Sequence, residues 1–128
     1  MMSHAIIIDD NSKNLEVLAR MLALEGVDCT KVNHPKQLDA VLAAAERVDV
    51  IFLDLEMPGK NGYQLLEFFR GDARFRSVPI VAYTVHVSEI GAARQLGFHS
   101  FLGKPLDADK FPDQLARILG GSPVWELP

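Results

Sequence analysis

Short apolar runs alternate with amphipathic stretches along almost the whole chain. The runs at residues 5–9, 29–32, 50–53, 80–83 and 98–102 have the length of β-strands, and residues 50–53 are apolar throughout, as in a strand covered on both faces. Between the runs, apolar residues recur at helical spacing, as Leu15, Leu18 and Leu22 do. This alternation predicts an α/β domain of the flavodoxin-like type, a doubly wound five-stranded parallel sheet in the order 2-1-3-4-5.

Capping and turn residues predict where the helices begin and end. Ser12 is a candidate N-cap for the first helix, and Pro35 is expected in the first turn of the second, whose apolar face includes Ala45. The third helix is expected after Asn61. The last one is expected to become regular near Phe111, since that start places the following proline in the first turn.

The composition excludes several classes of protein. The chain has 128 residues, a formal charge of −4 with scattered basic residues, and one cysteine. These values argue against a nucleic-acid or anionic-membrane surface, an internal disulfide framework and a multi-cysteine zinc site. The longest apolar runs are too short to span a bilayer, and the N-terminus does not resemble a signal peptide. We therefore expect one cytoplasmic domain over residues 1–121, followed by a tail at 122–128.

Polar side chains follow four of the predicted strands. Asp9 and Asp10 come after the first strand, Asp54 after the third, Thr84 after the fourth and Lys104 after the fifth. In this architecture the functional site lies outside the carboxyl ends of the strands, where the strand order reverses. We therefore expect these side chains to converge on one edge of the sheet.

Each of these residues alone has an ordinary explanation. Acid pairs form turns or caps, threonine favours strands, and a lysine before a proline is usually a solvated loop residue. These explanations do not predict that the polar side chains after all four strands share one edge of the sheet. Like charges 4 Å apart repel by about 4 kcal/mol at an effective dielectric constant near 20, so the acidic cluster requires a cation. Oxygen donors favour Mg²⁺ (or Mn²⁺) over zinc.

The same residues carry a family resemblance. In this order and at these strand ends, Asp9-Asp10, Asp54, Thr84 and Lys104-Pro105 resemble the signature of response-regulator receiver domains in two-component signalling. Residues 54–62, Asp-Leu-Glu-Met-Pro-Gly-Lys-Asn-Gly, are similar to the family's aspartate-x-x-methionine-proline-glycine-x-x-glycine loop. The resemblance spans roughly residues 5–119, and a chain that ends soon after the fifth predicted helix resembles the stand-alone, single-domain type.

The resemblance implies a phosphoryl-transfer site. Asp54 would be the phosphoacceptor, taking its phosphoryl group from a sensor histidine kinase, a phosphotransfer protein or a small acyl phosphate. Asp10, Asp54 and the main-chain carbonyl of Glu56 would bind Mg²⁺ directly, and Asp9 largely through a water. Apart from this self-catalysed acceptance and slow autodephosphorylation, the chain would not be an enzyme.

The resemblance also implies a switch. Lys104 would pair with the phosphoryl group, the Thr84 hydroxyl would move in to donate a hydrogen bond, and Phe101 would turn inward. The face formed by the fourth helix, fifth strand and fifth helix would then change for an unidentified downstream protein target, or for a homodimer that forms through that face.

Some positions depart from the family or vary within it. Glu56, Val85 and His86 are expected to tune hydrolysis of the phosphoryl group, with the bulk of Val85 restricting access of water. The segment between Thr84 and Lys104 is about two residues shorter than usual, which predicts that either the fourth helix or the loop before it is shortened. The tail that contains Trp125 is expected to pack back on the domain, or to dock a partner or a second copy.

Three other functions are compatible with parts of the pattern. The first is a degenerate receiver that acts as a phosphorylation-independent scaffold. The second is an aspartate-nucleophile phosphatase, although that class places its aspartate-x-aspartate pair after the first strand. The third is nucleotide or flavin binding, which the fold permits but which the absence of a GxGxxG motif disfavours.

Overall fold

The computed structural model describes residues 3–44, 47–57 and 61–127. Its helices are α1 Ser12–Leu24, α2 Leu38–Ala44, α3 Gly62–Arg70, α4 Ile90–Leu96 and α5 Phe111–Leu119. Its strands are β1 Ser3–Ile8, β2 Val27–Val32, β3 Val50–Asp54, β4 Ile80–Thr84, β5 Ser100–Gly103 and β6 Trp125–Glu126. Short 3-10 turns occupy Pro35–Gln37, Ala73–Phe75 and Val87–Glu89.

The strands form one parallel sheet in the order β2-β1-β3-β4-β5-β6. This confirms the doubly wound, flavodoxin-like prediction for the first five strands. The expectation of a five-stranded sheet was incomplete, because the tail adds β6 in parallel beside β5. The added strand is held by hydrogen bonds, since the amide of Phe101 donates to the carbonyl of Val124 over 2.7 Å.

Helices cover both faces of the sheet, and the strands contribute alternate residues to two apolar clusters. On β3, Ile51 and Leu53 face the cluster that α2, α3 and α4 cover, whereas Val50 and Phe52 face the cluster under α1 and α5. Every residue of β3 is buried. The strand therefore places its last residue, Asp54, at the rim with little freedom to move.

The cap of α1 differs from the expectation. Asn11, not Ser12, is the N-cap, and its side-chain oxygen accepts the amides of Lys13 at 2.9 Å and Asn14 at 3.2 Å. Asn11 has an extended backbone, whereas Ser12 is already helical, so the earlier residue can reach the unpaired amides of the first turn. The amide of Asn11 in turn donates to Asp9 Oδ1 over 2.9 Å.

Two other helices are preceded by 3-10 turns. Pro35 opens a 3-10 turn, and regular α2 begins at Leu38; Ala45, expected on its apolar face, lies outside the described residues. A 3-10 turn likewise precedes α4, which has 7 residues and ends before Gly97 at a φ of +102°. The start of α5 at Phe111 agrees with the prediction. Across residues 3–44, 47–57 and 61–127, the helices are too short or too polar to cross a bilayer.

Candidate functional site

The carboxyl ends of four strands bring the predicted side chains to one edge of the sheet. Asp9 directly follows β1, Asp54 ends β3, Thr84 ends β4 and Lys104 directly follows β5. The amide of Lys104 donates to the carbonyl of Thr84 over 2.9 Å, which ties the last two strand ends together.

Asp9, Asp10 and Asp54 form an acidic cluster at this edge. Each offers a carboxylate oxygen, and the three oxygens lie within 4.8 Å of one another. Asp9 is 0 % exposed and Asp54 7 %, whereas Asp10 is exposed. A shallow opening beside the cluster is lined by Asp10, Glu56, Met57 and Asn61. The donor set therefore fits a hard divalent cation that enters from the side of Asp10.

Burial and the neighbouring charges give the three carboxyl groups different pKa values. Burial raises the pKa of Asp54 to about 6; the charge of Lys104 opposes the rise and that of Asp9 adds to it. Burial and the neighbouring Asp9 also raise the pKa of Asp10. Burial opposes ionisation of Asp9 as well, but its hydrogen bonds and the charge of Lys104 lower its pKa overall. Asp9 is thus the most readily ionised member, and a cation would favour ionisation of the other two.

Lys104 lies between two carboxylates and an aromatic ring. Its Nζ is 2.7 Å from Asp9 Oδ2, 3.8 Å from Asp54 Oδ2 and 4.3 Å from the centre of the Tyr83 ring. The lysine side chain is 10 % exposed. The ammonium group is therefore held where it can reach an anion bound at Asp54.

Tyr83 belongs to the site, and the sequence analysis missed it. Its hydroxyl donates to Asp9 Oδ2 over 3.0 Å, and the residue is 1 % exposed. In sequence it stands in an apolar run and looks like an ordinary core residue. The available signal was the position of this tyrosine next to the last residue of its strand, because a buried hydroxyl requires a hydrogen-bond partner.

Two loop residues that were expected to tune the site contact each other. His86 Nε2 lies 3.0 Å from Glu56 Oε2, so the loops after β3 and β4 meet above the rim. The Glu56 amide donates to Asp54 Oδ1 over 3.3 Å, and the His86 amide donates to Thr84 Oγ1 over 3.1 Å. Val85, between Thr84 and His86 in the sequence, is 63 % exposed. Residues 58–60, part of the recognised loop motif, lie outside the described residues.

Gly62 fixes how α3 begins next to Asp54. A Cβ at this position would lie 2.8 Å from the carbonyl oxygen of Asp54 and 2.8 Å from the Cα of Leu55. The Gly62 amide donates to the carbonyl of Leu55 over 2.9 Å. The loop after β3 therefore returns against the strand end so closely that a side chain here would displace the backbone of Asp54.

The two residues expected to report the state of the site are both buried. Thr84 is 1 % exposed and Phe101 is 0 % exposed. Phe101 belongs to the apolar cluster on the α4 side of the sheet, and Trp125 of β6 is its neighbour across the strand pair. Phe101 is therefore already buried in this structure, and the inward turn expected for it after phosphorylation stays a prediction.

Comparison of the sequence with known proteins identifies one family. The family model for the response regulator receiver domain matches residues 5–116. The chain is 36 % identical over 118 residues to the sensory/regulatory protein RpfC of Xanthomonas campestris, a match that covers 88 % of this chain but 16 % of RpfC. It is 27 % identical to protein PilH of Pseudomonas aeruginosa, with 94 % of this chain and 100 % of PilH covered.

Solved structures show the same fold. The chemotaxis response regulator CheY4 of Vibrio cholerae superimposes with a TM-score of 0.82 at 22 % identity, covering 92 % of this chain and 99 % of that one. A response regulator structure from Chloroflexus aurantiacus gives a TM-score of 0.83 at 22 % identity, over 94 % of this chain and 99 % of the other.

Proposed function

Because the chain belongs to the response-regulator receiver family, we propose that it is a two-component receiver in which Asp54 accepts a phosphoryl group. The observation that carries this proposal is the arrangement of three carboxylate oxygens within 4.8 Å of one another, with the Lys104 ammonium 3.8 Å from Asp54. The acids provide a nucleophile and a cation site, and the lysine provides positive charge for the arriving anion.

The proposed metal ligands are oxygen atoms. The carboxylates of Asp10 and Asp54 and the main-chain carbonyl of Glu56 would hold Mg²⁺ or Mn²⁺, which when bound offsets the charge of the phosphoryl oxygens. Asp9 Oδ2 already accepts hydrogen bonds from Lys104 and Tyr83. This engagement supports a role for Asp9 through a bound water rather than as a direct ligand.

The proposed chemistry needs little from the protein beyond positioning. A carboxylate oxygen of Asp54 forms a bond to phosphorus while the bond between phosphorus and the donor atom breaks. The donor atom is the nitrogen of a phosphohistidine or the acyl oxygen of a small acyl phosphate. Lys104 stabilises the negative charge of the phosphoryl oxygens. The pKa of Asp54, about 6, leaves the nucleophile ionised near neutral pH.

Phosphorylation would then act as a local switch. A phosphoryl group adds about −1.5 to −2 charges and three acceptor oxygens. We propose that Lys104 pairs with them and that the Thr84 hydroxyl turns toward them, which changes the packing of Phe101 and so the face formed by α4, β5 and α5. A sensor kinase or phosphotransfer protein would supply the group, and a downstream protein would read this face.

The test is intact-mass analysis after incubation with acetyl phosphate and Mg²⁺. We expect an increase by the mass of one phosphoryl group that disappears in Asp54→Asn and on removal of Mg²⁺ with EDTA. Asp28→Asn is the matched control, because Asp28 is an exposed aspartate on β2 and should leave the adduct unchanged. If neither acetyl phosphate nor a phosphorylated histidine kinase modifies the wild type, the chain is instead a degenerate receiver that acts as a scaffold.

A further inference from the structure

The tail covers the edge of β5 in the manner of a bound peptide. Val124 is 1 % exposed; its carbonyl accepts the amide of Phe101, and its own amide donates to Ser100 Oγ over 2.9 Å. Trp125 pairs with Phe101 and Glu126 with Leu102 in parallel register. Without this segment, β5 would be an edge strand that presents unpaired backbone groups.

Side chains from the two flanking helices contact the two residues of β6. The guanidinium of Arg94, on α4, lies 5.4 Å from the centre of the Trp125 ring. Arg117, on α5, donates to both carboxylate oxygens of Glu126 at 3.2 and 3.0 Å, and Gln114 donates to one of them at 2.9 Å. We call the β5 edge together with Arg94, Arg117 and Gln114 the β5 groove.

The β5 groove thus has three kinds of recognition element. Backbone groups of β5 pair with an extended segment, Arg94 contacts an aromatic ring, and Arg117 with Gln114 binds a carboxylate. The hydrogen bonds from Gln114 and Arg117 lower the pKa of Glu126, in agreement with a preference for the charged acid. Strand addition of this kind obtains affinity from the main chain and specificity from side-chain pockets.

The segment that occupies the groove is attached in a way that allows it to leave. Its strand has 2 residues, and Gly121, at a φ of +90°, followed by Ser122 and Pro123 connects it to α5. Leu127 is 51 % exposed. A strand of this length can open locally without unfolding of the domain, at a cost set by the burial of Val124 and by the hydrogen bonds to Glu126.

We propose that the β5 groove is a docking site for a protein partner that presents an extended segment with an aromatic residue followed by an acidic one. Residues 124–126 occupy this groove until the partner displaces them. The groove lies within the face of α4, β5 and α5 that the proposed function assigns to a downstream protein, so the identity of the partner rests on that function. The tail of this chain indicates which side chains the groove accepts, because Trp125 and Glu126 contact it. Because the occupant is tethered, the apparent dissociation constant of a partner rises in inverse proportion to the fraction of time that the groove is open.

The state of the tail can be measured directly, because Trp125 is the single tryptophan of the chain. In Glu126→Arg, the new charge faces Arg117, so we expect undocking: red-shifted Trp125 emission and stronger quenching by acrylamide than in the wild type. The double variant Arg117→Glu with Glu126→Arg restores opposite charges and should return emission and quenching toward the wild-type values. Unchanged emission in Glu126→Arg would show that the tail does not dock through this contact and would overturn the proposal.

The docking site is tested with a dye-labelled peptide that has the sequence of residues 122–128, added to the complete chain. In fluorescence anisotropy we expect it to bind Glu126→Arg at least about tenfold more tightly than the wild type, because the undocked tail leaves the β5 groove open. A peptide with Trp125→Ala and Glu126→Ala should not bind, and Arg117→Glu combined with Glu126→Ala should not bind the original peptide. Far-ultraviolet circular dichroism verifies that each variant is folded.

Three further results would overturn the proposal. In the first, the peptide fails to bind Glu126→Arg at millimolar concentration. In the second, it binds this variant and the wild type equally, which would place it elsewhere on the surface. In the third, sedimentation velocity would show that Glu126→Arg dimerises, in which case the occupant of the groove is a second copy of the chain rather than a different partner. None of these measurements requires phosphorylation of Asp54, so they succeed or fail independently of the proposed function.

Discussion

The hydroxyl of Tyr83 donates to Asp9 Oδ2 over 3.0 Å, and the same oxygen accepts the Lys104 ammonium at 2.7 Å. Asp9 therefore has its charge balanced from inside the protein by two donors on neighbouring strand ends. Asp10 lines the opening of the site, and Asp54 lies behind it with its carboxylate 3.8 Å from the Lys104 ammonium. This difference in partners explains how the three acids can lie together without a bound cation.

The hydroxyl of Tyr83 should contribute measurably to stability. Tyr83→Phe removes a buried hydrogen bond to a charged acceptor, and we expect the free energy of unfolding to fall by about 1.5–3 kcal/mol. The matched control is Tyr63→Phe, which removes the 2.6 Å bond from Tyr63 to the partly buried Glu89. Its cost should be smaller because water can replace the donor. Urea denaturation compares the two variants, and equal losses would contradict a special role for Tyr83.

Lys104 should matter most for stability when the metal is absent. Lys104→Met leaves the buried Asp9 without its cation, and we expect a loss of about 3 kcal/mol in EDTA. Mg²⁺ supplies positive charge to the same cluster, so saturating Mg²⁺ should raise the melting temperature of Lys104→Met more than that of the wild type. Lys36→Met, at an exposed lysine, should respond to Mg²⁺ as the wild type does. Equal shifts in all three proteins would exclude electrostatic coupling between Lys104 and the cation site.

Removing the charge of Asp54, the proposed phosphoacceptor, should stabilise the metal-free chain. The pKa of Asp54 is about 6 in the folded protein, against an ordinary 3.8, so the unfolded chain ionises first and stability falls as the pH rises between these values. Asp54→Asn abolishes this loss. Above pH 7 in EDTA, we expect it to raise the free energy of unfolding by about 1–3 kcal/mol, and near pH 4 to change it little. A variant that is less stable than the wild type at both pH values would refute this account.

The contact between Glu56 and His86 predicts coupled effects on the lifetime of the phosphorylated state. Both side chains are well exposed, at 64 % and 49 %, so the pair is worth at most about 1 kcal/mol, or roughly fivefold in a rate. Glu56→Ala and His86→Ala should change the decay of the phosphoryl adduct by similar factors, and the double variant by no more than either. Asp72→Ala and Arg74→Ala, which break a pair outside the site, should leave the decay unchanged. Additive effects in the double variant would show that the contact is irrelevant to hydrolysis.

Phosphorylation should also be visible at Trp125. Phe101 pairs with Trp125 across the last two strands, and β5 runs on to Lys104, so a rearrangement around the phosphoryl group should reach the indole ring. We expect acetyl phosphate with Mg²⁺ to change the emission of Trp125 in the wild type and to leave it unchanged in Asp54→Asn. An adduct seen by mass without a change in emission would mean that the switch does not involve the β5 groove.

The convergence of Asp9, Asp54 and Lys104 could be predicted from the sequence because parallel strands end at the same edge of a sheet. Tyr83 could not be assigned in this way. Both faces of β4 are buried, so the apolar run has no alternation that would show which residues point toward the acids. The contact between Glu56 and His86 depends on the conformations of two loops, which residue type alone does not determine.

The tail illustrates a different limit. A strand of 2 residues after a Gly-Gly stop has no periodicity to detect. Its partners are Phe101 and Leu102 on β5, which are distant from it in the sequence, so the pairing is evident only from the folded structure. The N-cap of α1 was missed by one residue for a related reason, since Asn11 and Ser12 are both good caps and the backbone conformation decides between them.

The short β6 strand also determines how the sheet ends. A bare β5 would offer an apolar edge, with Phe101 and Leu102 both buried in the present structure, to any other chain that can form a strand. A strand of 2 residues that carries the charged Glu126 provides a poor template for further growth of the sheet. Whatever opens the β5 groove therefore also exposes a surface prone to aggregation, and a long-lived open state would be a hazard at high protein concentration.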